Sequence, residues 1–484
     1  MAGRNPDYIP PLHKALIPVF ILIFLLAFNV ILIYQDSSTD GSNQLILMFC
    51  AAVAALIGVS EGFSWEQIES GIIQNISSTM QAVIILLLIG ALAGAWMLSG
   101  IVPAMIYYGL KFINPTYFLA ATCFICTLVS VSTGSSWSTT ATVGIALFGV
   151  GKALGYHEAL VAGTVISGAY FGDKISPLSE TTNMAAAMAE VPLFNHVKYM
   201  LWTTIPSITI SLLIYFIIGF NYNADTNLQE VQEVITSIEN TFNITPLLFL
   251  VPIIVIALIT KKMPAIPALL IGTFLGALFA LIFQKNILLQ MADPSLPRYE
   301  AFYKIIVDAM TIQTQIPAEN SLLKTLLSSS GMSGMLSTVW LIIAAMMFGG
   351  VMDACNFLKS ITVHILKLAK KPSSLISATI LSCISTNVLA SEQYLSILLP
   401  GRMYKDAYKK MGLAGENLSR SLEDGGTVTS ALVPWNTCGA YQSSVLGVAT
   451  AAYAPYAFFN IISPFMSIIF AIFKIKIKKL ATKD

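Results

Sequence analysis

Long runs of apolar residues alternate with short polar segments along most of the chain. The runs at 15–34, 82–98 and 201–220 are near or above the length that crosses about 30 Å of hydrocarbon. Between residues 77 and 151 a single side chain, that of Lys111, is charged. This pattern predicts a bundle of transmembrane helices rather than folded domains surrounded by water.

The composition supports the same conclusion. Of the 484 residues, 56% are apolar and 11% are charged, whereas a soluble protein carries roughly 25% charged residues. So few charges cannot cover a water-facing surface, and the lipid bilayer is therefore the expected surroundings. The net charge of +1, without a basic stripe, argues against nucleic acid as a partner. The predicted fold class is all-α and polytopic.

Basic residues indicate which ends of the helices face the cytoplasm, because cytoplasmic loops carry an excess of lysine and arginine. The tail 474–484 contains five lysines, and Arg4 and Lys14 precede or begin the first apolar run. Both termini are therefore predicted to be cytoplasmic. The linker 221–244 carries four acidic residues and no basic one, which predicts an external position.

Two clusters of basic residues, at 359–371 and 402–410, both predict cytoplasmic positions. Two spans between them need roughly 40 residues plus a turn, and a single span would place the clusters on opposite sides. The segment 372–401 is too short for two spans and is mostly apolar. It is therefore predicted to be a re-entrant hairpin with its tip at the polar turn 385–387.

The first half of the chain contains a matching hairpin at 117–151, with an apolar–polar–apolar pattern and a predicted tip at 132–135. Other landmarks recur nearly in register. Asp173 and Asp424 are 251 residues apart, and Asn183 and Asn436 are 253 residues apart. Recurrence at one spacing predicts an internal two-fold repeat, an architecture common among transporters.

Counting membrane crossings assigns the chain to two repeats, 1–220 and 245–473, the second of which includes an external loop at 284–331. Each half has five spans and one hairpin. Because five is an odd number, the second half starts on the opposite side of the membrane from the first, and the repeats are inverted. The prediction is about ten transmembrane helices plus two re-entrant hairpins. The spans before and after the hairpins are expected at about 15–34, 45–59, 78–98, 159–190, 197–220, 245–260, 265–283 and 335–354, with a lateral helix before each hairpin.

Ionisable side chains inside a membrane cost several kcal/mol and by default indicate a function. Five carboxylates are candidates for ion binding and proton transfer. Asp353 lies at the predicted cytoplasmic end of a span, where a helix cap explains it equally well. The five are Asp173, Asp424, Glu180, Glu392 and Asp353.

Glycine and proline interrupt the segments 172–183 and 423–437, and such breaks free backbone carbonyls inside the membrane. Carbonyls, hydroxyls and carboxylates are hard oxygen donors, which suit Na⁺. One Na⁺ is expected at Asp173, Thr133 and Ser135. A second set of ligands consists of Asp424, Asn387 and Asn436. The neutral candidates are Ser132, Thr133, Ser135, Ser176, Asn183, Ser385, Thr386, Asn387, Thr427 and Asn436.

Simpler explanations remain open for these residues. A serine or threonine in a helix often bonds only to the carbonyl four residues earlier. Asp173 pairing with Lys174, or Glu423 with Arg420, would make interfacial salt bridges without transport. The sequence also lacks a phosphate-binding Gly-Lys-Ser/Thr loop and a convincing nucleophile–base pair, so nothing indicates an enzyme. No cofactor is expected beyond Na⁺ and H⁺ as transported ions.

Several motifs resemble those of NhaC-type sodium/proton antiporters. The longest is GAYFGDKISPLSETTN at 168–183, in which Glu180 stands where many members carry aspartate. The resemblance runs from about residue 45 to 470. Shorter matching motifs are SSWST at 135–139, SEQY at 391–394, LPGRMY at 399–404 and PWNT at 434–437.

This resemblance implies Na⁺/H⁺ exchange in the inner (cytoplasmic) membrane of a prokaryote. Some relatives resemble malate/lactate exchangers, so a Na⁺- and H⁺-coupled exchanger of small carboxylates is the second hypothesis. A membrane scaffold without transport activity is the third. The predicted hairpins also resemble the ion-transporter superfamily, and this analogy implies a homodimer with elevator-type alternating access.

Overall fold

The computed structural model describes residues 8–34, 41–222, 228–317 and 327–480. This part of the chain is almost entirely helical and contains one small antiparallel sheet, formed by Thr314–Gln315 and Ser328–Ser329. Some segments with predicted positions lie outside the described residues. They are 1–7, which include Arg4, 223–227 of the acidic linker, 318–326 of the predicted external loop and 481–484 of the basic tail.

Within the described residues, seven helices are long and apolar enough to cross a membrane, or up to nine if two bent helix pairs each count as one span. Large apolar side chains cover the outer surface of the helix bundle. Phe20, Phe24, Leu45 and Phe274 are each at least 65% exposed, which suits lipid because hydrocarbon offers no hydrogen bonds. The predicted class, an all-helical polytopic membrane protein, is confirmed.

The first half contains eleven described helices. A π-helical turn at Asn29–Ile33 continues α1, and another at Thr140–Gly144 joins α7 to α8. The helices are α1 (Leu12–Phe28), α2 (Ser42–Ser60), α3 (Trp65–Ser78), α4 (Met80–Leu98), α5 (Ile101–Phe112), α6 (Phe118–Thr133), α7 (Ser136–Thr139), α8 (Ile145–Ala153), α9 (Glu158–Ile175), α10 (Glu180–Met188) and α11 (Leu193–Phe220).

The second half repeats much of this order. A π-helical turn at Glu423–Thr427 joins α21 to α22, and 3₁₀ turns at Pro246–Phe249 and Ser333–Met335 precede α13 and α17. The helices are α12 (Leu228–Thr241), α13 (Leu250–Thr260), α14 (Ala265–Phe283), α15 (Lys285–Met291), α16 (Arg298–Thr311), α17 (Leu336–Ala354), α18 (Phe357–Lys367), α19 (Pro372–Leu389), α20 (Gln393–Lys410), α21 (Gly415–Leu422), α22 (Val428–Ser430), α23 (Thr437–Leu446), α24 (Thr450–Tyr453) and α25 (Phe458–Ile472).

Two pairs of helices form hairpins. In the first hairpin, α6 turns at Gly134 into α7 and α8, and Gly134 has a φ of +70° that favours glycine. In the second, α19 turns at residues 390–392 into α20. The predicted tip at 385–387 was therefore wrong. Within the continuing helix the Thr386 hydroxyl bonds back to the carbonyl of Ser382, at 2.8 Å, so that this polar side chain finds a partner without a turn.

The second hairpin is also longer than predicted. Its second arm does not end at residue 401 but continues to Lys410, so that each arm has 18 residues. At 1.5 Å per residue such an arm is about 27 Å long. The basic cluster at 402–410 thus belongs to the end of the arm rather than to a loop after it.

Helix α11 connects the bases of the two hairpins. Near its start, the Tyr199 hydroxyl donates to Oδ1 of Asn417, which follows the second hairpin, at 2.6 Å. Just after its end, the Tyr222 hydroxyl donates to the carbonyl of Leu154 at the base of the first hairpin, at 2.5 Å. The 28 residues of α11 span about 42 Å. The hairpins therefore open at opposite ends of α11, as inverted repeats require.

Four helices occur where none was predicted. They are α3, α12 in the acidic linker, and α15 and α16 in the predicted external loop. Their sequences are largely polar and contain only a narrow apolar stripe. In α16 the buried residues of this stripe are Ala301, Ile305 and Ala309, at a spacing of four residues. The segment 284–331 is therefore not a plain loop.

The first hairpin packs closely against α9 through small residues. A Cβ atom added at Gly172 would lie 2.3 Å from the backbone nitrogen of Val131, and one added at Gly168 would lie 2.3 Å from the carbonyl oxygen of Cys123. Small residues spaced by four let helix backbones approach in this way. This contact fixes the end of α9 beside the tip of the hairpin.

We expect Gly172→Ala to destabilise the purified protein by about 1–3 kcal/mol, because the added methyl group meets backbone atoms that cannot turn away. Thermal unfolding in detergent measures this change. Gly149→Ala is the matched control, since its Cβ meets only the flexible end of the Ile106 side chain. Equal melting temperatures for the two variants would contradict the close approach of α9 and α6.

We also expect cysteines at Ser373 and Lys410 to react with a membrane-impermeant maleimide only from the cytoplasmic side. A cysteine at Asn221 should react only from outside, because α11 carries the chain to the opposite face. The six native cysteines are buried and give a low background. Labelling of positions 373 and 410 from different sides would exclude a hairpin that enters and leaves on one face.

Candidate functional site

A cavity of about 690 Å³ lies between the tip of the first hairpin, the break after α9 and the start of α20. It brings together residues from both halves of the chain. The predicted site residues in its wall are Thr133, Ser135, Asp173, Glu180, Asn183 and Glu392.

Asp173 is held in the cavity wall by hydroxyl groups from two sides. Its Oδ2 accepts hydrogen bonds from the backbone N–H of Ser136, at 3.2 Å, and from the Ser136 hydroxyl, at 2.6 Å. Its Oδ1 accepts from the Ser179 hydroxyl at 2.6 Å. Hydrogen bonds to an ionised carboxylate are stronger than those between neutral groups. The carboxylate is thus fixed in position, while the residue remains 7% exposed.

The break that follows Asp173 has a local cause. Proline cannot continue a helix, and α9 ends at Ile175, two residues before Pro177. The freed carbonyls find side-chain partners. The Thr182 hydroxyl donates to the carbonyls of Asp173 and Lys174, at 3.0 and 2.9 Å. These bonds stabilise the interruption inside a layer without water.

Asn183 and Ser176 stabilise the same break. The Asn183 side-chain amide donates to the carbonyls of Pro177, at 3.0 Å, and Ser179, at 2.7 Å. The Ser176 hydroxyl donates to the carbonyl of Val131 on α6, at 2.8 Å. Both residues therefore stabilise the break through the hydrogens that they donate, and Asn183 also lines the cavity.

Two further carboxylates face the cavity. Glu392 is 7% exposed, and its side chain caps α20 by accepting the Leu395 N–H at 2.8 Å. Glu180 is more exposed and accepts from the Tyr394 hydroxyl at 2.6 Å. Among the described residues of the cavity wall, Lys262 is the only basic one. The cavity thus combines three carboxyl groups with one ammonium group.

The hairpin tip contributes neutral oxygens. Thr133 and Ser135 line the cavity, and the Ser135 hydroxyl also caps α7 by accepting the Ser138 N–H at 3.2 Å. Ser132 does not line it, because its hydroxyl bonds back to the carbonyl of Leu128 on the exposed side of α6, at 2.8 Å. Two of the three tip residues predicted as ligands therefore line the cavity.

Asp424 lies elsewhere, fully buried in the π-helical turn that joins α21 to α22. Its carboxylate forms an ion pair with Lys174, which is also fully buried. Hydroxyls of Ser463 and Ser467 donate to it at 2.5 Å each, and Thr203 donates at 3.3 Å. The expectation that ligands from the second hairpin face this carboxylate was wrong.

The second hairpin instead contacts the backbone of this turn. The Asn387 amide donates to the carbonyl of Gly426 at 2.7 Å and to the Thr429 hydroxyl at 3.1 Å. The Asn436 amide donates to Oδ1 of Asn387 at 3.2 Å, and its own Oδ1 caps α23. Both asparagines are fully buried and hold the second break together.

The remaining candidates are not in the cavity wall. Asp353 is exposed at the end of α17, and Thr427 is fully buried beside Asp424. Ser385 and Thr386 lie within α19. Within the described part of the chain, the structure therefore gathers the predicted residues of the cavity wall in one place. Asp353, Ser385, Thr386 and Thr427 lie outside it.

The suspected interfacial salt bridges are not formed as expected. Lys174 pairs with Asp424 and not with its neighbour Asp173. The Arg420 guanidinium lies over the ring of Tyr199, at 4.6 Å from the centroid, and forms no ion pair with Glu423.

Sequence analysis did not single out several side chains that build the site. Ser136 and Ser179 stood inside the motifs but were not proposed as partners of Asp173. Ser463 and Ser467 are four residues apart in an apolar helix, and this spacing places two hydroxyls on one face. That pattern was a usable signal of a buried polar partner.

An aromatic pair joins the two halves at the cavity. The indole of Trp137 stacks on the ring of Tyr441, with centroids 3.8 Å apart. The Tyr441 hydroxyl also donates to the carbonyl of Trp137 at 2.8 Å. The first hairpin is therefore in direct contact with α23 of the second half.

Comparison with known proteins gives a consistent result. A family model described as the Na⁺/H⁺ antiporter family matches residues 168–475. The Na⁺/H⁺ antiporter NhaC of Alkalihalophilus pseudofirmus is 35% identical over 460 residues, which cover 95% of this chain and 96% of that protein. NhaC of Bacillus subtilis is 38% identical over 85% of this chain and 88% of its own length.

A third relative carries a different substrate name. The malate-2H⁺/Na⁺-lactate antiporter of Bacillus subtilis is 35% identical over 96% of this chain and 94% of its own length. These relatives are transporters, which agrees with the expectation that the chain is not an enzyme. The matches cover nearly the whole chain, including both breaks and both hairpins. The chain therefore belongs to the Na⁺/H⁺ antiporter family.

Proposed function

We propose that this protein exchanges Na⁺ for H⁺ across the cell membrane, with Asp173 as the ligand of Na⁺ and the acceptor of the proton. One observation carries the proposal. Asp173 is a nearly buried carboxylate at a cavity, and no basic side chain among the described residues forms an ion pair with it. In a low dielectric such a charge needs a cation, which is either Na⁺ or H⁺. Because the two compete for one group, their fluxes are coupled.

Neutral oxygens around Asp173 complete the proposed coordination. Thr133 and Ser135 lie in the cavity wall, and the hydroxyls of Ser136 and Ser179 already contact the carboxylate. A hydroxyl oxygen keeps a lone pair for a cation while it donates its hydrogen. Glu180 and Glu392 face the same cavity and raise the local concentration of cations.

A Na⁺- and H⁺-coupled exchanger of small carboxylates is the second candidate. The relative named for malate and lactate favours it, and so does the volume of about 690 Å³, which far exceeds one hydrated ion. The charge of the wall argues against it, because three carboxyl groups repel an anion and Lys262 alone attracts one. We therefore prefer Na⁺/H⁺ exchange to the exchange of carboxylates as the proposed function.

The remaining parts of the proposal concern orientation and motion. The lysine-rich tail supports cytoplasmic termini. We propose a homodimer that works by elevator-type alternating access, in which the breaks and hairpins move with the bound ion. The close packing of α6 on α9 supports their movement as one body.

Flux measurements in proteoliposomes distinguish the two candidates. We expect an imposed pH gradient to drive Na⁺ uptake with no organic anion present, and lactate or malate to leave that rate unchanged. Vesicles without protein are the control. If Na⁺ uptake required either anion, the exchange of carboxylates would replace Na⁺/H⁺ exchange as the proposed function.

We expect Asp173→Asn to abolish Na⁺ uptake driven by the pH gradient, because the amide neither takes up a proton nor offers a negative charge to Na⁺. The amide has nearly the same shape, so the protein should still insert and elute as the wild type does. Glu300→Gln is a control that removes a carboxylate far from the cavity. Wild-type uptake by the Asp173→Asn variant would remove this residue from the mechanism.

We expect Thr133→Val to raise the apparent KM for Na⁺ by roughly tenfold and to change the maximal rate less, since it removes one neutral ligand worth about 1–1.5 kcal/mol. Ser132→Ala is the matched control, because its hydroxyl points away from the cavity on the same tip. Similar KM values for the two variants would count against ligation by the tip.

A further inference from the structure

The end of α9 carries two neighbouring charges that face different parts of the protein. Asp173 faces the cavity, whereas Lys174 is fully buried and pairs with Asp424 of the second half. The Thr182 hydroxyl bonds to the carbonyls of both Asp173 and Lys174. One short piece of backbone therefore holds both the exposed acid and the buried base.

The surroundings of Asp424 resemble a site for a cation. Its two carboxylate oxygens accept hydroxyls of Ser463 and Ser467 on α25, at 2.5 Å, and of Thr203 on α11, at 3.3 Å. Hydroxyl and carboxylate oxygens are the ligands that hard cations such as Na⁺ prefer. A positive charge is already present, because the Lys174 ammonium contacts the carboxylate and also donates to the Ser463 hydroxyl at 2.9 Å.

The two acids are 251 residues apart but differ in their counter-ion. Asp173 lies two residues before the end of α9, whereas Asp424 lies in a π-helical turn of a helical stretch that continues to Ser430, and each accepts hydrogen bonds from two serine hydroxyls. Asp173 has no ion-pair partner among the described residues, whereas Asp424 has one that is covalently part of the first half. A fully buried ammonium cannot leave without exposing an uncompensated charge on both sides.

We propose that Lys174 is a tethered cation that permanently fills the second of two related acid sites. The protein then has one exchangeable Na⁺ site, at Asp173, and carries one Na⁺ per cycle. Asp424 instead holds α9 against α21 and α25 through its ion pair with Lys174, a cation that is never exchanged. This inference rests on the proposed function only in naming Na⁺ as the ion at Asp173.

Equilibrium binding of ²²Na⁺ to the purified full-length protein in detergent tests this proposal. We expect one Na⁺ per chain for the wild type and for Lys174→Arg, which keeps the charge. Lys174→Gln should bind two, because Asp424 is then free to take up Na⁺. The double variant Lys174→Gln/Asp173→Asn should return to one.

A second double variant covers the case in which Lys174→Gln does not fold. Lys174→Gln/Asp424→Asn removes both charges together, leaves no uncompensated partner, and should still bind one Na⁺. Two Na⁺ per wild-type chain, a folded Lys174→Gln that binds no more Na⁺ than the wild type, or a Lys174→Gln/Asp424→Asn variant that binds none although the wild type binds one would each overturn the tethered cation.

The same measurement separates this inference from the proposed function. If the wild type binds no Na⁺ but Lys174→Gln binds one, Asp424 is a latent cation site that Lys174 fills, while Asp173 is not a Na⁺ site. If neither protein binds Na⁺, both proposals are wrong.

Discussion

A helix that ends inside a hydrocarbon layer leaves carbonyl and amide groups that must find partners there, and the arrangement of this protein depends on that requirement. At the first break the partners are the side chains of Thr182 and Asn183. At the second they are the amides of Asn387 and Gln393, which donate to backbone carbonyls of the π-helical turn. Two of these residues, Asn183 and Gln393, also line the cavity of the candidate site.

Much of the fold was predictable because helices that contact lipid require long apolar runs in the sequence. Apolar runs gave most of the spans, and the basic clusters placed both ends of the second hairpin on one side. The first tip was predicted correctly, since Gly134 and the serines beside it interrupt an apolar run where a turn needs a positive φ. Asp173 could also be singled out as a candidate, because an acid between glycine and proline has few structural explanations inside a membrane.

Other features depend on contacts that the local sequence does not contain. The partner of Asp424 is 250 residues away, at Lys174, and nothing around either residue indicates that pairing. The polar residues at 385–387 looked like a turn, but inside a helix they bond to the preceding turn or to the other break. Helix α16 was missed because burial of three residues suffices to hold it, and this stripe is weak beside the strong signal of lipid-facing helices.

The stacked rings of Trp137 and Tyr441 give the protein an optical consequence. They join the first hairpin to the second half at the cavity, with centroids 3.8 Å apart. Any displacement of one half against the other separates the rings, which costs about 0.5–1.5 kcal/mol and exposes the indole to a different polarity. In a variant whose other five tryptophans are replaced, the emission of Trp137 therefore reports the contact between the halves without an attached dye.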